Sequence, residues 1–333
     1  MSIPLSVLDV APVARHMTVA DALQRSLEVA QAAERLGYHR FWVAEHHNMP
    51  SVASSAPAVL LAHAAMVTST IRIGSGGVML PNHAPLVVAE QFGMLEALHP
   101  GRIDLGIGRA PGTDRVTMHA LRRTADESVE DFPRHFGELL SFFDGEWPAE
   151  HPYRAITAMP GKGSRPEMWL LGSSDFSARL AGYLGLPFSF AHHFSAANTL
   201  PAIAAYRETF RPSSVLAEPY VMVAANVLCA ETMERARWLA APSALAMLRM
   251  RTGRPGPAPT PEEAAAYQYT PAEKEFVKAW TAPHVVGPPD VVLAGLEDLV
   301  AQTGADELML AGGSSIDRVR SLELVAEAWR ENP

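Results

Sequence analysis

The sequence predicts a single-domain (β/α)8 barrel, a parallel ring of eight strands spanning residues 1–333, and three observations carry that expectation. Short β-prone runs alternate with helical patterns along the whole chain, which calls for parallel strands joined by right-handed crossovers. No interior linker and no repeat of 20–50 residues divides the chain. The composition, 48% hydrophobic and 19% charged, supplies one large core, and barrels of this length are commonly one domain.

Ile3–Leu8 is a natural first strand and ends at Asp9-Val10-Ala11-Pro12. Thr18 and Asp21 make a capping box with Asp in place of Glu, the helical pattern runs to Leu36, and Gly37 stops it. Tyr38–Ala44 is the second strand. Pro57 opens a helix through Met66, and Ile71–Leu80 is the third strand. Pro85 opens the next helix through Leu98, and Pro100-Gly101 turns the chain into a fourth strand, Arg102–Ile107.

The second half is less regular. Ser128–Phe143 is helical with phenylalanines and leucines on one face, and Asp144–Pro166, rich in Pro and Gly, is an excursion. Met168–Leu171, Pro187–Ala191 and Tyr220–Leu228 are strands five to seven. Helices at Phe176–Leu184, Leu200–Phe210 and Thr232–Met250 follow them. Arg251–Pro271 is so proline-rich that it reads as a surface loop, a poor helix or strand. Val291–Thr303 is a helix, Glu307–Ala311 the eighth strand and Ile316–Trp329 the closing helix. The barrel thus carries insertions after strands four and seven.

The net charge of -9 excludes the basic face that nucleic acid requires. Cys229 is the only cysteine, so neither an internal disulfide nor a cysteine-rich metal cluster can form. Met1–Val10 lacks the basic start and apolar core of a signal peptide, and no run approaches a membrane span. A cytoplasmic protein is the expectation.

In a parallel barrel, chemistry gathers where strands emerge at their carboxyl ends. The most informative end is Phe41-Trp-Val-Ala-Glu-His-His47, where Glu45, His46 and His47 follow a buried strand at once. Histidine can give or take a proton near neutral pH. Gly76-Gly77 inside the third strand reads either as a bulge or as close backbone approach to something flat. Arg109 ends the fourth strand as a permanent cation for a phosphate or carboxylate, or as the partner of an acid such as Glu90.

Gly172-Ser173-Ser174 passes from strand into helix, a turn whose free amides suit an anion. Gly312-Gly313-Ser314-Ser315 after the last strand is its rival, and Asp175 beside the first turn counts mildly against it. His192-His193 closes strand six and Asn226 lies in strand seven. Adjacent histidines on an extended chain face opposite ways, so each pair offers one metal ligand at most, and no metal is expected. A serine hydrolase lacks its G-x-S-x-G, and a Rossmann site lacks its third spaced glycine.

Three stretches together resemble the bacterial-luciferase-like flavin monooxygenases, in the single-chain branch. They are Phe41–His47, then Ile73-Gly-Ser-Gly-Gly-Val-Met-Leu-Pro81 with His83 and Pro85, then Pro100-Gly-Arg-Ile-Asp-Leu-Gly-Ile-Gly-Arg109. Trp169-Leu-Leu-Gly-Ser-Ser174 and Glu307-Leu-Met-Leu-Ala-Gly312 fit the same pattern, and the likeness is least clear over 144–166 and 245–285.

The resemblance implies a luciferase-like barrel that binds reduced FMN, supplied by a separate flavin reductase. It implies reaction with dioxygen through a flavin C4a-peroxide to oxidise a small, mostly apolar organic substrate. By position, His46 is the catalytic residue beside the flavin. Gly76 and Gly77 lie against the ring system, where the family often has a non-proline cis peptide. Arg109, Gly172, Ser173 and Ser174 hold the phosphate, and Glu90 reaches the ribityl chain. Val10, Glu45, His47, His192 and His193 are the expected substrate-side residues.

A homodimer through the second to fourth helices is usual in the family. Luciferase proper has a reactive cysteine where this chain has Gly108, so thiol-dependent behaviour and light emission with an aldehyde are not expected. Residues 251–271 would act as a lid, since a reactive oxygenated flavin needs a dry pocket. Two other readings fit the same residues: a deazaflavin-dependent hydride-transfer dehydrogenase on the same barrel, and a non-catalytic flavin-binding protein.

Overall fold

The computed structural model describes residues 3–121, 131–312 and 316–331, and in it short apolar strands alternate with helices along the chain. The strands are β1 (Leu5–Asp9), β2 (Arg40–Val43), β3 (Arg72–Met79), β4 (Ile103–Gly108), β5 (Glu167–Gly172), β6 (Phe188–Phe190), β7 (Val221–Cys229), β8 (Val285–Gly287) and β9 (Glu307–Ala311). All pairings between them are parallel. Eight close a ring in the order β1-β2-β3-β4-β5-β6-β7-β9, with β9 pairing back to β1. β8 lies outside that ring, paired to the last residues of β7. The barrel matches the expected fold.

The helices on the outer face are α1 (Val19–Arg35), α2 (Pro57–Val67), α3 (Pro85–Leu98), α4 (Arg115–Leu121), α5 (Phe132–Asp144), α6 (Asp175–Leu184), α7 (Thr199–Thr209), α8 (Met233–Arg251), α9 (Pro261–Ala266), α10 (Pro271–Thr281), α11 (Pro289–Thr303) and α12 (Arg318–Arg330). Thr18 caps α1 through the reciprocal bonds with Asp21 that the sequence implied. The first residues of the expected helix 128–143 lie partly outside the described residues.

The proline-rich segment departs from expectation. Residues 251–271 are not loop throughout, and a second helix follows directly. Thr260-Pro-Glu-Glu263 and Thr270-Pro-Ala-Glu273 each form a capping box with proline in the first turn, so these prolines start α9 and α10. A first-turn proline gives up no intrahelical bond, and its fixed φ suits the helix. β8 was also unexpected, a three-residue strand too short to show a period.

Outward strand residues such as Val7, Phe41, Ile73, Leu105 and Leu170 are buried under the helices. Inward residues form layers. At the amino ends of the strands, Arg40 meets Asp104 at 2.9 Å, Glu167 at 3.1 Å and Glu307 at 3.2 Å. Arg72 also pairs with Asp104 and Glu167, and Ser6 and Tyr220 donate to Glu307. Asp104 and Glu307 are wholly buried, and breaking such a layer would cost far more than forming it gains. Above it, Trp42, Trp169, Met222, Ala224 and Met309 pack together, the two indoles edge to face at 5.3 Å. Trp42 and Trp169 donate down to Asp104 and Glu167, each at 2.8 Å. The lower barrel is solid.

Candidate functional site

Above the tryptophan layer the barrel opens into a cavity of about 1180 Å³, bounded by the carboxyl ends of the strands. Its floor and wall bring together Val10 after β1, His46 and His47 after β2, Gly76 and Gly77 in β3, Arg109 after β4, Gly172 to Ser174 after β5, and His193 after β6. Residues between Gly253 and Pro261 cover one side. That cover is tied down: Ala258 donates to Val13 at 3.0 Å, Arg15 donates back to Ala258 at 3.2 Å, and Arg15 pairs with Glu263.

The peptide between Gly76 and Gly77 is cis, and the β3–β4 register shifts between Gly76 and Val78. The register shift is the bulge reading of the sequence, and both glycines line the cavity. Glycine is required here first by the protein itself. A Cβ on Gly76 would sit 2.7 Å from Leu8 and 3.0 Å from Trp42, and one on Gly77 would sit 2.7 Å from the Gly106 carbonyl.

Glu45 is fully buried beneath the wall. It accepts from the Met79 amide at 2.9 Å, Asn82 at 3.1 Å, His83 at 2.9 Å and His47 at 2.8 Å. Burial alone would raise its pKa, but the bonds from His83, Met79 and His47 together hold it below the usual value. It is an anionic clamp and does not line the cavity. His46 is different: burial lowers its pKa against the pull of Glu45, and its Nδ1 has no hydrogen-bond partner among the described residues. It presents a neutral imidazole to the cavity.

Arg109 lies over the Phe176 ring at 4.2 Å and has no carboxylate partner among the described residues, so the alternative pairing with Glu90 is not formed. Glu90 sits on α3 and is not among the cavity's lining residues. Ser174 is the N-cap of α6 yet makes no side-chain capping bond, leaving its hydroxyl and the first-turn amides uncommitted. Asp175 is largely exposed and reaches Arg179 at 3.8 Å, so it does not occupy that turn. Gly312 lines the cavity, whereas Gly313, Ser314 and Ser315 lie outside the described residues.

Of the strand-six pair, only His193 reaches the cavity. His192 turns away to the Thr199 hydroxyl at 2.8 Å: β6 has ended at Phe190, and the two histidines sit in a turn. His46 and His47 both line it because β2 has ended at Val43 and the chain is no longer extended in register. Sequence reasoning missed Trp280, in the last turn of α10, and His284, between α10 and β8, both of which line the cavity. It also missed the ionic layer, whose signal was a charge at the first inward position of several apolar strands.

Residues 4–307 match the family model described as luciferase-like monooxygenase. A luciferase-like monooxygenase of Escherichia coli strain K12 is 43% identical over 333 residues, covering 99% of this chain and 98% of its own. The crystal structure of apo-MsnO8 superposes with a TM-score of 0.88 at 38% identity, covering 99% of both chains. Two remoter structures share the fold. One is the oxygenating constituent of 3,6-diketocamphane monooxygenase from Pseudomonas putida in complex with FMN (TM-score 0.73, 20% identity, 98% and 97% covered). The other is an F420-dependent secondary alcohol dehydrogenase with an F420-acetone adduct (TM-score 0.71, 16% identity, 98% of both covered).

Proposed function

The chain belongs to the luciferase-like monooxygenase family, and on that premise we propose that it uses reduced FMN and dioxygen to oxidise a small, mostly apolar organic substrate. The observation that carries the reading is the convergence of Gly76-Gly77, His46, Arg109 and the Ser173-Ser174 turn on one cavity. The residues fit the cofactor. Gly76 and Gly77 line the cavity without side chains, Arg109 is a cation without a carboxylate partner among the described residues, and the Ser174 N-cap makes no side-chain capping bond at the start of α6.

When bound, reduced flavin supplies two electrons and the atom at which dioxygen is activated. The protein's own groups do the rest. Arg109, Ser173 and Ser174 hold the phosphate, and Gly76-Gly77 takes the face of the ring. His46, a neutral imidazole lining the cavity, bonds beside the reacting edge or moves a proton there. Val10, His47 and His193 form the substrate side, and residues 251–271 act as the lid that keeps water out. The reduced cofactor arrives from a separate reductase.

A homodimer is part of this reading. α2 and α3 are apolar around most of their circumference, and Val59, Met66, Met94 and Leu98 are more than half exposed. A helix with that pattern belongs inside an interface. The reading is tested by titrating FMN into the chain, then supplying reduced FMN and air. Absence of FMN binding would end it.

A further inference from the structure

The substrate side of the cavity holds His193, and with it Asn226 and His284, to which the proposed chemistry gives no role. His193 Nδ1 lies 2.8 Å from the Ala224 carbonyl on β7, so that nitrogen carries the hydrogen and Nε2 is the acceptor. Asn226, two residues further along β7, donates its side-chain amide to His284 Nε2 at 3.0 Å, so His284 Nδ1 carries the hydrogen and is a donor. Neither His193 Nε2 nor His284 Nδ1 has a partner among the described residues, and both rings line the cavity. Apolar neighbours surround them: Phe194 is 4.3 Å from the His193 ring and Trp280 is 4.3 Å from that of His284.

From this geometry we propose that His193 and His284, the latter oriented by Asn226, form a subsite for an uncharged polar group of the substrate that both donates and accepts, an N–H-bearing amide or a hydroxyl carried on an apolar body. The subsite deepens the oxygenase reading and rests on it only for the identification of the ligand as substrate. Burial lowers both imidazoles to a pKa of about 4, and the side chains that bear on them electrostatically among the described residues are other histidines. The pair therefore offers one acceptor and one donor without net charge. A carboxylate would meet the bare Nε2 of His193, and an ammonium would meet the Nδ1–H of His284. Each ion would lose its water there without a countercharge. A neutral group bonds to both, and a site built this way rejects ligands that leave its own polar atoms unpaired.

The probes are hexanamide, hexanoate and hexylamine, titrated calorimetrically near neutral pH into the full chain, both FMN-free and FMN-loaded. Hexanamide is expected to bind roughly tenfold or more tightly than either ion. His284→Phe and His193→Phe, with folding checked by circular dichroism, are expected to shrink that preference. Equal binding of hexanoate or hexylamine, a preference unchanged in both variants, or no binding of any probe would each overturn the proposal. Failure of FMN itself to bind would remove the oxygenase reading, while the comparison on the FMN-free chain would still decide the subsite.

Discussion

The backbone amide of Glu45 donates to the carbonyl oxygen of Gly77 at 3.2 Å. The residue that precedes His46 is thus bonded directly to the second half of the cis glycine pair. The imidazole and the glycine pair are held by one clamp, whose other anchors are Met79, Asn82, His83 and His47.

Glu45→Gln is expected to lower stability near neutral pH by about 1–3 kcal/mol, because two imidazole N–H donors and a buried amide lose their anionic acceptor. The pH dependence has a definite sign. The folded carboxyl titrates below its ordinary value of 4.5, so its contribution is present above that value and is lost as pH falls through the lower folded one. Urea melts at neutral and at acid pH should therefore show the gap between wild type and variant closing with acid. A gap of constant size would dismiss the clamp.

His46→Ala is expected to keep FMN binding and to lose coupling between dioxygen use and substrate oxidation, by roughly a hundredfold if His46 moves or holds a proton. Hydrogen peroxide released per dioxygen consumed measures this. A ratio equal to that of the wild type would assign His46 to structure.

Arg109→Ala is expected to weaken FMN by about 1.5–3 kcal/mol, the contribution of a charge-assisted bond, with binding of riboflavin little changed. Fluorescence titration reads both. An unaltered FMN curve would leave Arg109 only its stack on Phe176. The same titration with the deazaflavin F420 separates the hydride-transfer alternative, which predominant F420 binding would establish.

Residues 251–271 are expected to be cut by protease more slowly when FMN is bound, since a ligand that binds only the closed cavity stabilises its cover. Mass spectrometry of the fragments locates the cuts. Equal rates with and without FMN would make the segment a passive surface.

Met66→Glu combined with Leu98→Glu is expected to convert a dimer into a monomer, as two charges on one apolar face are costly to bury. Light scattering after gel filtration gives the mass. An unchanged mass would place any interface elsewhere.

Much of the barrel was legible because its signals are local: capping at Thr18, proline at Pro57 and Pro85, aliphatic runs between them. β8 and α10 were not, since a three-residue strand has no period and Thr-Pro-x-Glu was read for its proline and not for its cap. At the site, the Glu45-His46-His47 run, Gly76-Gly77 and Arg109 could be found because each stands where an apolar strand stops. The cavity wall excludes Glu90 and His192, for helix facing and the course of the turn after β6 are settled by packing. His284 could not be found at all, as only the pairing of β8 with β7 carries it to Asn226.

The arginine and carboxylate layer under Trp42 and Trp169 plugs the amino end of the barrel, and Gly253–Pro261 partly roofs the cavity above it. A ring seated on Gly76 and Gly77, as proposed, would find no exit through that floor.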